Sequence, residues 1–227
     1  MTRSLSALER AITRCRRCPR LVAHREQIAV EKKRAFRDWE YWGRPVPGFG
    51  DPKARLVIVG LAPAAHGANR TGRMFTGDSS GDWLYGALHR FGFASQAESL
   101  SKDDGMRLSD CYISAAGRCA PPGNKPTQEE LDTCQPFLER ELALLERVRV
   151  ILVLGRVAHR QYLRAAGWWR ELRPRERPSF EHGALVELPN GCALLSSYHP
   201  SRQNTNTGKL TRAMWTDVFR TACAALR

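Results

Sequence analysis

The sequence predicts an α/β protein, a three-layer α/β/α sandwich around a parallel sheet of four strands. Short apolar runs alternate along the chain with longer segments whose apolar residues recur at helical spacing. The first of these runs, Leu56 to Val59, is apolar without interruption, as is typical of a central parallel strand that helices cover on both faces. Since strand-helix-strand units use right-handed crossovers, this alternation places helices on both sides of a single sheet.

The N-terminal quarter is predicted to hold one helix, a basic segment and the first strand. The helix runs from Ser4 to Thr13, with Ser4 as its N-cap. In residues 23–44 charged residues are interleaved with aromatic ones, and this segment either lines a nucleic-acid groove or packs over a cluster of cysteines. The run 45–52 is rich in proline and glycine, as turns are, and it leads into the first strand, Leu56 to Val59.

Three further strands are predicted from apolar runs, with helices between and after them. The predicted strands are Cys111 to Ala116, Val148 to Leu154 and Ala193 to Ser197. The predicted helices are Asp82 to Phe91, Thr127 to about Arg147, Gly155 to Ala166 and Lys209 to Leu226. Thr127 and Glu130 have the spacing of a capping box, which marks the start of its helix.

Length and composition indicate one basic domain. We interpret residues 1–227 as a single domain in which residues 1–50 form an N-terminal cluster-binding and basic segment. The net charge of +13, from 36 Lys plus Arg against 23 Asp plus Glu, favours a polyanionic partner over a merely basic enzyme. No run approaches the roughly 18 apolar residues of a membrane span, and no secretion signal follows Met1. We therefore expect no membrane association, a cytoplasmic location and reduced thiols.

Three unusual loops follow the predicted strands. They read GLAPAAHG at 60–67, RCAPPGNKP at 118–126 and YHPSRQNTNTG at 198–208. Because the carboxyl ends of parallel strands lie at one edge of a sheet, these loops predict a single cleft there. The first loop lacks G-x-G-x-x-G, and no G-x-x-x-x-G-K-[ST] occurs in the chain, so neither dinucleotide nor P-loop chemistry is indicated.

Four of the seven cysteines have the pattern of a metal or cluster site. Cys15 and Cys18 form C-x2-C, and fourteen residues separate Cys119 from Cys134. Four thiolates in two pairs suit either a tetrahedral zinc ion or an iron-sulfur cluster, and spacing alone leaves both open. A redox C-x-x-C is the rival interpretation, but no thioredoxin-like strand precedes it. The other three cysteines lie in apolar strand or helix patterns, where buried cysteine is ordinary.

The two longest motifs resemble one known family. GLAPAAHGANRTGRMFTGD at 60–78 and HPSRQNTNTG at 199–208, together with the cysteine pattern, resemble a family 5 uracil-DNA glycosylase, the type also called UDGb. The match covers nearly the whole chain, from Cys15 to the final helix. The resemblance implies a uracil-DNA glycosylase-like fold with four parallel strands, and a 4Fe-4S cluster held by Cys15, Cys18, Cys119 and Cys134.

This resemblance implies a DNA repair enzyme. We expect a monofunctional glycosylase that flips uracil out of DNA, hydrolyses its N-glycosidic bond and leaves an abasic site. Strand nicking is not expected, because no lysine is placed for a Schiff base. The alternatives are an iron-sulfur or zinc nucleic-acid-binding module without catalysis, and a cluster-dependent redox enzyme.

Residues from all three loops are candidates for binding the flipped base. Phe75 is the expected stacking face, and residues Gly60, Leu61 and Ala62 line the pocket. His199 is the catalytic candidate on the base side, since negative charge develops on the departing base. Asn124 can contact either the base or water through its amide, or simply form a turn.

The water-activating carboxylate is predicted outside the first loop. Related glycosylases commonly place Asp or Asn there, whereas the run 61–64 in this chain is wholly apolar. The resemblance nominates Asp78 instead, and the alternative role of Asp78 is to cap the helix that follows it. An apolar loop has few base-specific groups, so we expect hypoxanthine and xanthine to be substrates besides uracil.

The expected partner is double-stranded DNA that contains deaminated bases, with single-stranded DNA as a further candidate. The chain itself is expected to be a monomer. Polar residues of the last loop and two arginines of the first motif are the predicted phosphate and DNA contacts. These residues are Arg70, Arg73, Ser201, Arg202, Gln203, Asn204 and Lys209. Asn69 is expected to reach the pocket.

Overall fold

The computed structural model describes residues 4–227. Its N-terminal part contains two α-helices. Helix α1 spans Leu5–Thr13, and Ser4 caps it as predicted, because its Oγ accepts a hydrogen bond from the Ala7 amide at 3.3 Å. Helix α2 spans Pro19–Glu31 and is absent from the sequence prediction, because its many charges hide a narrow apolar face. The interpretation of residues 1–50 as a segment of a single domain stays a prediction, and its first three residues lie outside the described part.

The sheet has six strands in the order β1-β3-β2-β4-β6-β5. The strands are β1 Phe49–Gly50, β2 Leu56–Gly60, β3 Cys111–Ala115, β4 Val150–Leu154, β5 Leu185–Glu187 and β6 Ala193–Ser197. The four central strands are parallel and are the four predicted ones, so the fold class is confirmed. The predicted strand count is wrong, because β1 and β5 add antiparallel edges that are two and three residues long.

Helices cover both faces of the sheet. They are α3 Ala68–Thr71, α4 Ser79–Arg90, α5 Gln128–Leu144, α6 Arg156–Ala165, α7 Trp168–Glu171, α8 Arg202–Asn206 and α9 Arg212–Ala225. Ile58 faces a core shared with α4 and α9, whereas its neighbour Val59 faces a core shared with α5 and α6. Successive side chains of a strand point to opposite faces, so an uninterrupted apolar run fills both layers. In residues 4–227 no helix is long and apolar enough to cross a membrane.

Several predicted helix boundaries need correction. Helix α4 begins three residues before the predicted Asp82, and α9 begins at Arg212, with Thr211 rather than Lys209 at its start. The polar run after β6, predicted as a loop, folds into the short helix α8. The capping box at the start of α5 is confirmed, since Thr127 and Glu130 exchange both hydrogen bonds.

Candidate active site and cysteine cluster

The loops that follow the parallel strands meet at the carboxyl edge of the sheet. The loop after β3 lies against the loop after β2, since the Gly117 amide donates to the Leu61 carbonyl at 2.7 Å. The loop after β4 lies against the end of β6, since the Gly155 amide donates to the Ser197 carbonyl at 2.8 Å. The expected loops therefore converge at this edge, while the cleft between them stays a prediction.

Phe75 and His199 form a stacked pair at this edge. Their ring centroids are 5.7 Å apart and the ring planes differ by 26°. The Phe75 ring also lies over the end of β2, where a Cβ added to Gly60 would be 2.8 Å from its Cζ atom. Phe75 has a φ of +54°, and Gly81 leaves room for its carbonyl oxygen, which a Cβ at Gly81 would meet at 1.8 Å. The local backbone thus sets the tip of the aromatic ring against Gly60 and places the ring next to the imidazole. The structure therefore brings these predicted site residues together.

His199 is a partly buried, neutral imidazole. Burial penalises the charged form and lowers the pKa of His199 to about 4. Its backbone is fixed by Asn204, whose Nδ2 donates to the His199 carbonyl at 2.8 Å. At neutral pH the ring therefore presents one donor and one acceptor nitrogen without a positive charge.

The Asp78 carboxylate divides its two oxygens between different surroundings. Oδ1 accepts hydrogen bonds from the amides of Ser80 at 2.9 Å and Gly81 at 3.1 Å, which makes Asp78 the N-cap of α4. Oδ2 lies beside Gly67, where an added Cβ would be 2.1 Å away, and no donor from the described residues reaches it. Burial raises the pKa of this carboxyl group. The structure therefore shows the capping role of Oδ1, while Oδ2 has no hydrogen-bond donor among the described residues.

Asn124 lies apart from this group. It ends a 3-10 helix at Pro122–Asn124 after β3, has a φ of +58° and is exposed. Its side chain makes no hydrogen bond within residues 4–227, so the structure assigns it to the correct edge without joining it to the stacked pair. Leu61 and Ala62 are partly exposed there, and the segment 61–64 presents no polar side chain.

The two arginines predicted as phosphate contacts are buried. Arg70 is 4% exposed, and it donates from Nε to the His66 carbonyl at 2.8 Å and from Nη2 to the Gly77 carbonyl at 2.9 Å. Arg73 is 3% exposed and pairs with Asp104 at 2.6 Å. Neither guanidinium group is open to a phosphate, because both are used to fix the loop that leads to Asp78 in the chain.

Asn69 also differs from the expectation that it reaches the pocket. Its side chain is fully buried, and Nδ2 donates to the Arg25 carbonyl of α2 at 3.2 Å. The amide of Gly43 donates to the Asn69 carbonyl at 3.0 Å, and the amide of Trp42 donates to the Arg70 carbonyl at 2.9 Å. The N-terminal segment therefore docks on the first strand-end loop through backbone and buried side-chain bonds.

The polar run after β6 has both structural and exposed members. Ser201 caps α8 by accepting from the Asn204 amide, and the Asn204 side chain supports the backbone of His199. Arg202 donates from Nε to Ser79 Oγ at 3.2 Å, which links α8 to the start of α4. Among the residues predicted to contact DNA, Arg202, Gln203 and Lys209 are exposed, and so are Asn206 and Thr207 of the same run.

The four predicted cluster cysteines line one cavity between α2, α5 and the loop after β3. Two nearly fully buried arginines, Arg25 and Arg118, line it with them. Arg25 donates from Nη1 to Cys119 Sγ at 2.9 Å, and its Nη2 donates to the Cys15 carbonyl at 3.3 Å. The Nε atoms of both arginines are buried without a partner in the described chain. Such cationic surroundings suit an anionic group held by thiolates.

The four cysteines do not form a preassembled site for a single metal ion. In residues 4–227 no three Cys, His, Asp or Glu side chains converge closely enough to hold one metal ion. Four thiolates are the donor set of a tetrahedral zinc ion and also of a 4Fe-4S cluster, so the residues present fit either group. Arg25 was missed in the sequence, where it is one of many charged residues in a helix and gives no local signal.

The fold and the site together define an α/β protein whose strand-end loops bring an aromatic ring and an imidazole together at the carboxyl edge of a parallel sheet. The family model described as "Uracil DNA glycosylase superfamily" matches residues 47–222. The chain belongs to this superfamily, which confirms the resemblance seen in its motifs.

Two similar proteins carry the name Type-5 uracil-DNA glycosylase. The protein from Mycobacterium leprae is 54% identical over 220 residues, which are 96% of this chain and 94% of that protein. The protein from Thermus thermophilus is 55% identical over 213 residues, 94% of each chain. A Type-4 uracil-DNA glycosylase from Pyrobaculum aerophilum is 32% identical over 129 residues, 56% of this chain and 58% of that protein. The similarity is thus both higher and more extensive to the type-5 proteins.

Proposed function

We propose that this chain is a monofunctional DNA repair glycosylase that removes uracil by hydrolysing its N-glycosidic bond. The observation that carries the proposal is the stack of Phe75 and His199 over Gly60 at the carboxyl edge of the sheet. A base within a duplex has to be flipped out before its bond to the sugar is accessible. Stacking of the flipped base on an aromatic face recovers part of the stacking free energy that is lost. The superfamily membership and the names of the type-5 relatives support the same activity.

Each site residue has a role that matches its surroundings. Phe75 offers a face for the flipped base, with the apolar segment 61–64 beside it. His199 donates a hydrogen bond to the base oxygen on which negative charge develops, and its neutral form makes this donation independent of pH near 7. Asp78 uses Oδ2 to orient and deprotonate the attacking water. Asn124 contacts the base or the water from the neighbouring loop.

We propose a broad choice of base, because no polar side chain of the segment 61–64 reads a base edge. Hypoxanthine and xanthine are therefore substrates besides uracil. The test is release of each free base from matched duplexes, measured by chromatography. Release of uracil alone would contradict the broad selection but not the glycosylase activity.

We propose that Cys15, Cys18, Cys119 and Cys134 hold a 4Fe-4S cluster. When bound, the cluster supplies a covalent cross-link between elements that are far apart in the chain. The Arg25 guanidinium compensates the negative charge of the cluster and its thiolates. The Arg25 carbonyl accepts a hydrogen bond from Asn69 and so links α2 to the first loop. The visible absorption of the purified protein separates iron-sulfur from zinc.

Double-stranded DNA is the proposed substrate form, with single-stranded DNA as the second. The exposed side chains of Arg202, Gln203 and Lys209 lie at the cleft and form its proposed DNA surface, together with Ser201 and Asn204 in their supporting roles. Arg70 and Arg73 are left out of this surface because they are buried. The monomeric state and the cytoplasmic location stay predictions of the sequence.

The proposed activity is tested with a duplex that contains one uracil. Wild-type protein should release free uracil, and His199→Ala should release it far more slowly at equal folded concentration. A wild-type protein that binds the duplex but releases no base would contradict the proposal and leave a binding module.

A further inference from the structure

Phe36 and Trp39 form an aromatic corner on the N-terminal segment. Their ring centroids are 6.3 Å apart and the planes meet at 76°. The guanidinium of Arg70 fills the inside of this corner, with its Cζ 3.9 Å from the Phe36 centroid and 4.2 Å from the Trp39 centroid. Arg70 is buried, and cation–π contacts are stronger when the cation is desolvated, so both rings are packed on this guanidinium.

This aromatic corner adjoins the loop of the proposed active site. The same Arg70 donates to the carbonyl of Gly77, the residue before Asp78, and to the carbonyl of His66. One guanidinium group thus connects the backbone next to the proposed catalytic carboxylate with two aromatic rings. The alternative that the aromatic residues pack over the cysteines does not hold for Phe36 and Trp39, because both rings pack on Arg70 and neither lines the cavity of the cysteines.

The outer side of the aromatic corner is open and mostly basic. Trp39 keeps 38% of its surface exposed even though Arg70 covers one face of its ring. Residues 32–40 contain four basic and two acidic side chains, and Lys33, Arg34 and Arg37 are exposed beside the rings. An exposed indole among cations complements a nucleic-acid strand, because bases stack on aromatic faces and phosphates pair with Lys and Arg.

We propose that the aromatic corner binds the DNA strand that flanks the flipped nucleotide, with an unpaired base stacked on Trp39 and phosphates held by Arg34 and Arg37. This inference rests on the proposed glycosylase function, because it takes the cleft beside Asp78 as the place of the flipped nucleotide. The corner adds a second DNA contact to the one formed by Arg202 and Lys209, which come from the run after β6. It allows the enzyme to bind DNA whose bases are locally unstacked.

The test is equilibrium binding of the full-length protein to a fluorescently labelled oligonucleotide that carries a non-hydrolysable abasic analogue. The oligonucleotide is used both as a duplex and as a single strand. Trp39→Ala should weaken binding of the single strand about tenfold, and Trp39→Phe should stay close to wild type because it keeps a stacking face. The double substitution of Arg34 and Arg37 by Ala should reduce the slope of log K against log salt by about one for each phosphate that is no longer neutralised. Lys53→Ala, an exposed charge before β2 at the opposite edge of the sheet, is the matched control and should change neither quantity.

The outcomes separate this inference from the glycosylase proposal. Unchanged affinity of Trp39→Ala together with an unchanged salt slope of the arginine variant would overturn the role of the corner, even if the wild type excises uracil. A wild type that fails to excise uracil would overturn the proposed function, whereas the binding data would still report on the corner. If Trp39→Ala lowers the melting temperature strongly, the arginine variant decides, because Arg34 and Arg37 are exposed and their loss leaves the aromatic packing intact.

Discussion

Replacing Asp78 by Asn should separate its two roles, capping of α4 and activation of water. Asn and Asp are equivalent N-caps, and an Asn carbonyl oxygen can accept the two amide hydrogen bonds that Oδ1 accepts at 2.9 and 3.1 Å. The second oxygen, which lies beside Gly67, becomes an amide nitrogen that cannot take a proton from water. Asp78→Asn should therefore fold normally and lose catalysis, whereas Asp78→Ala should lose both functions.

The expected magnitudes follow from these contacts. Loss of the cap in Asp78→Ala should lower the free energy of unfolding by about 0.5–2 kcal/mol, and Asp78→Asn should change it by less than about 1 kcal/mol. Loss of a general base should slow excision by roughly 100-fold to 10,000-fold in both variants. Because burial raises the pKa of Asp78, the wild-type rate should rise with pH in a range above that of an exposed aspartate. Asp78→Asn should lose this dependence.

The assay combines urea denaturation with single-turnover excision of uracil from a duplex across a range of pH. Denaturation reports the cap, and the excision rate reports the carboxylate. If Asp78→Asn excised uracil within about threefold of the wild-type rate, with the same pH profile, Asp78 would be a helix cap and nothing more. The role of water activation would then have to be assigned to another residue.

Gly60→Ala should place a Cβ 2.8 Å from Phe75 Cζ and force the ring away from its position, which should lower the free energy of unfolding by about 1–3 kcal/mol. Thermal melting measures the loss of stability, and the KM for uracil-containing DNA measures the displacement of the ring. An unchanged KM would contradict the contact. The pKa of His199 is about 4 in the folded chain against about 6.5 when unfolded, so its contribution to stability is full above pH 6.5 and is lost as the pH falls towards 4. His199→Gln should remove up to about 3 kcal/mol of this acid destabilisation, seen as a flatter dependence of urea midpoints on pH, and equal slopes for both proteins would refute it. Cys119→Ser should abolish the visible absorption of the proposed cluster and lower the melting temperature. The control Cys223→Ser, in α9, should change neither quantity. A colourless wild-type protein that contains zinc would refute the cluster.

The central fold could be predicted from the sequence because its signals are local. The strands that begin at Leu56, Cys111, Val150 and Ala193 are short runs dominated by apolar residues, and helix α5 carries a recognisable capping box. The edge strands β1 and β5 could not be predicted in this way. They contain two and three residues, and β5 is exposed throughout. Neither strand therefore shows the alternation of apolar and polar residues, or the apolar run, by which a strand is recognised in a sequence.

Within the site, the motif predicted which residues lie at the sheet edge better than it predicted the contacts of their side chains. Phe75 and His199 meet as expected, although nothing in the sequence indicates the positive φ that aims the ring. Arg70 and Arg73 were expected on the surface, where arginine is usually found. Their partners are a carbonyl seven residues further on and Asp104, and pairs of this kind depend on how loops fold back rather than on a local pattern.

The most direct test of the glycosylase activity is a single-uracil duplex incubated with the wild-type protein and then treated with alkali. We expect a strand that stays intact after the enzyme step and breaks at the uracil position only after alkali. A strand that remains intact after alkali would contradict the glycosylase activity, and a strand that breaks before alkali would contradict its monofunctional character.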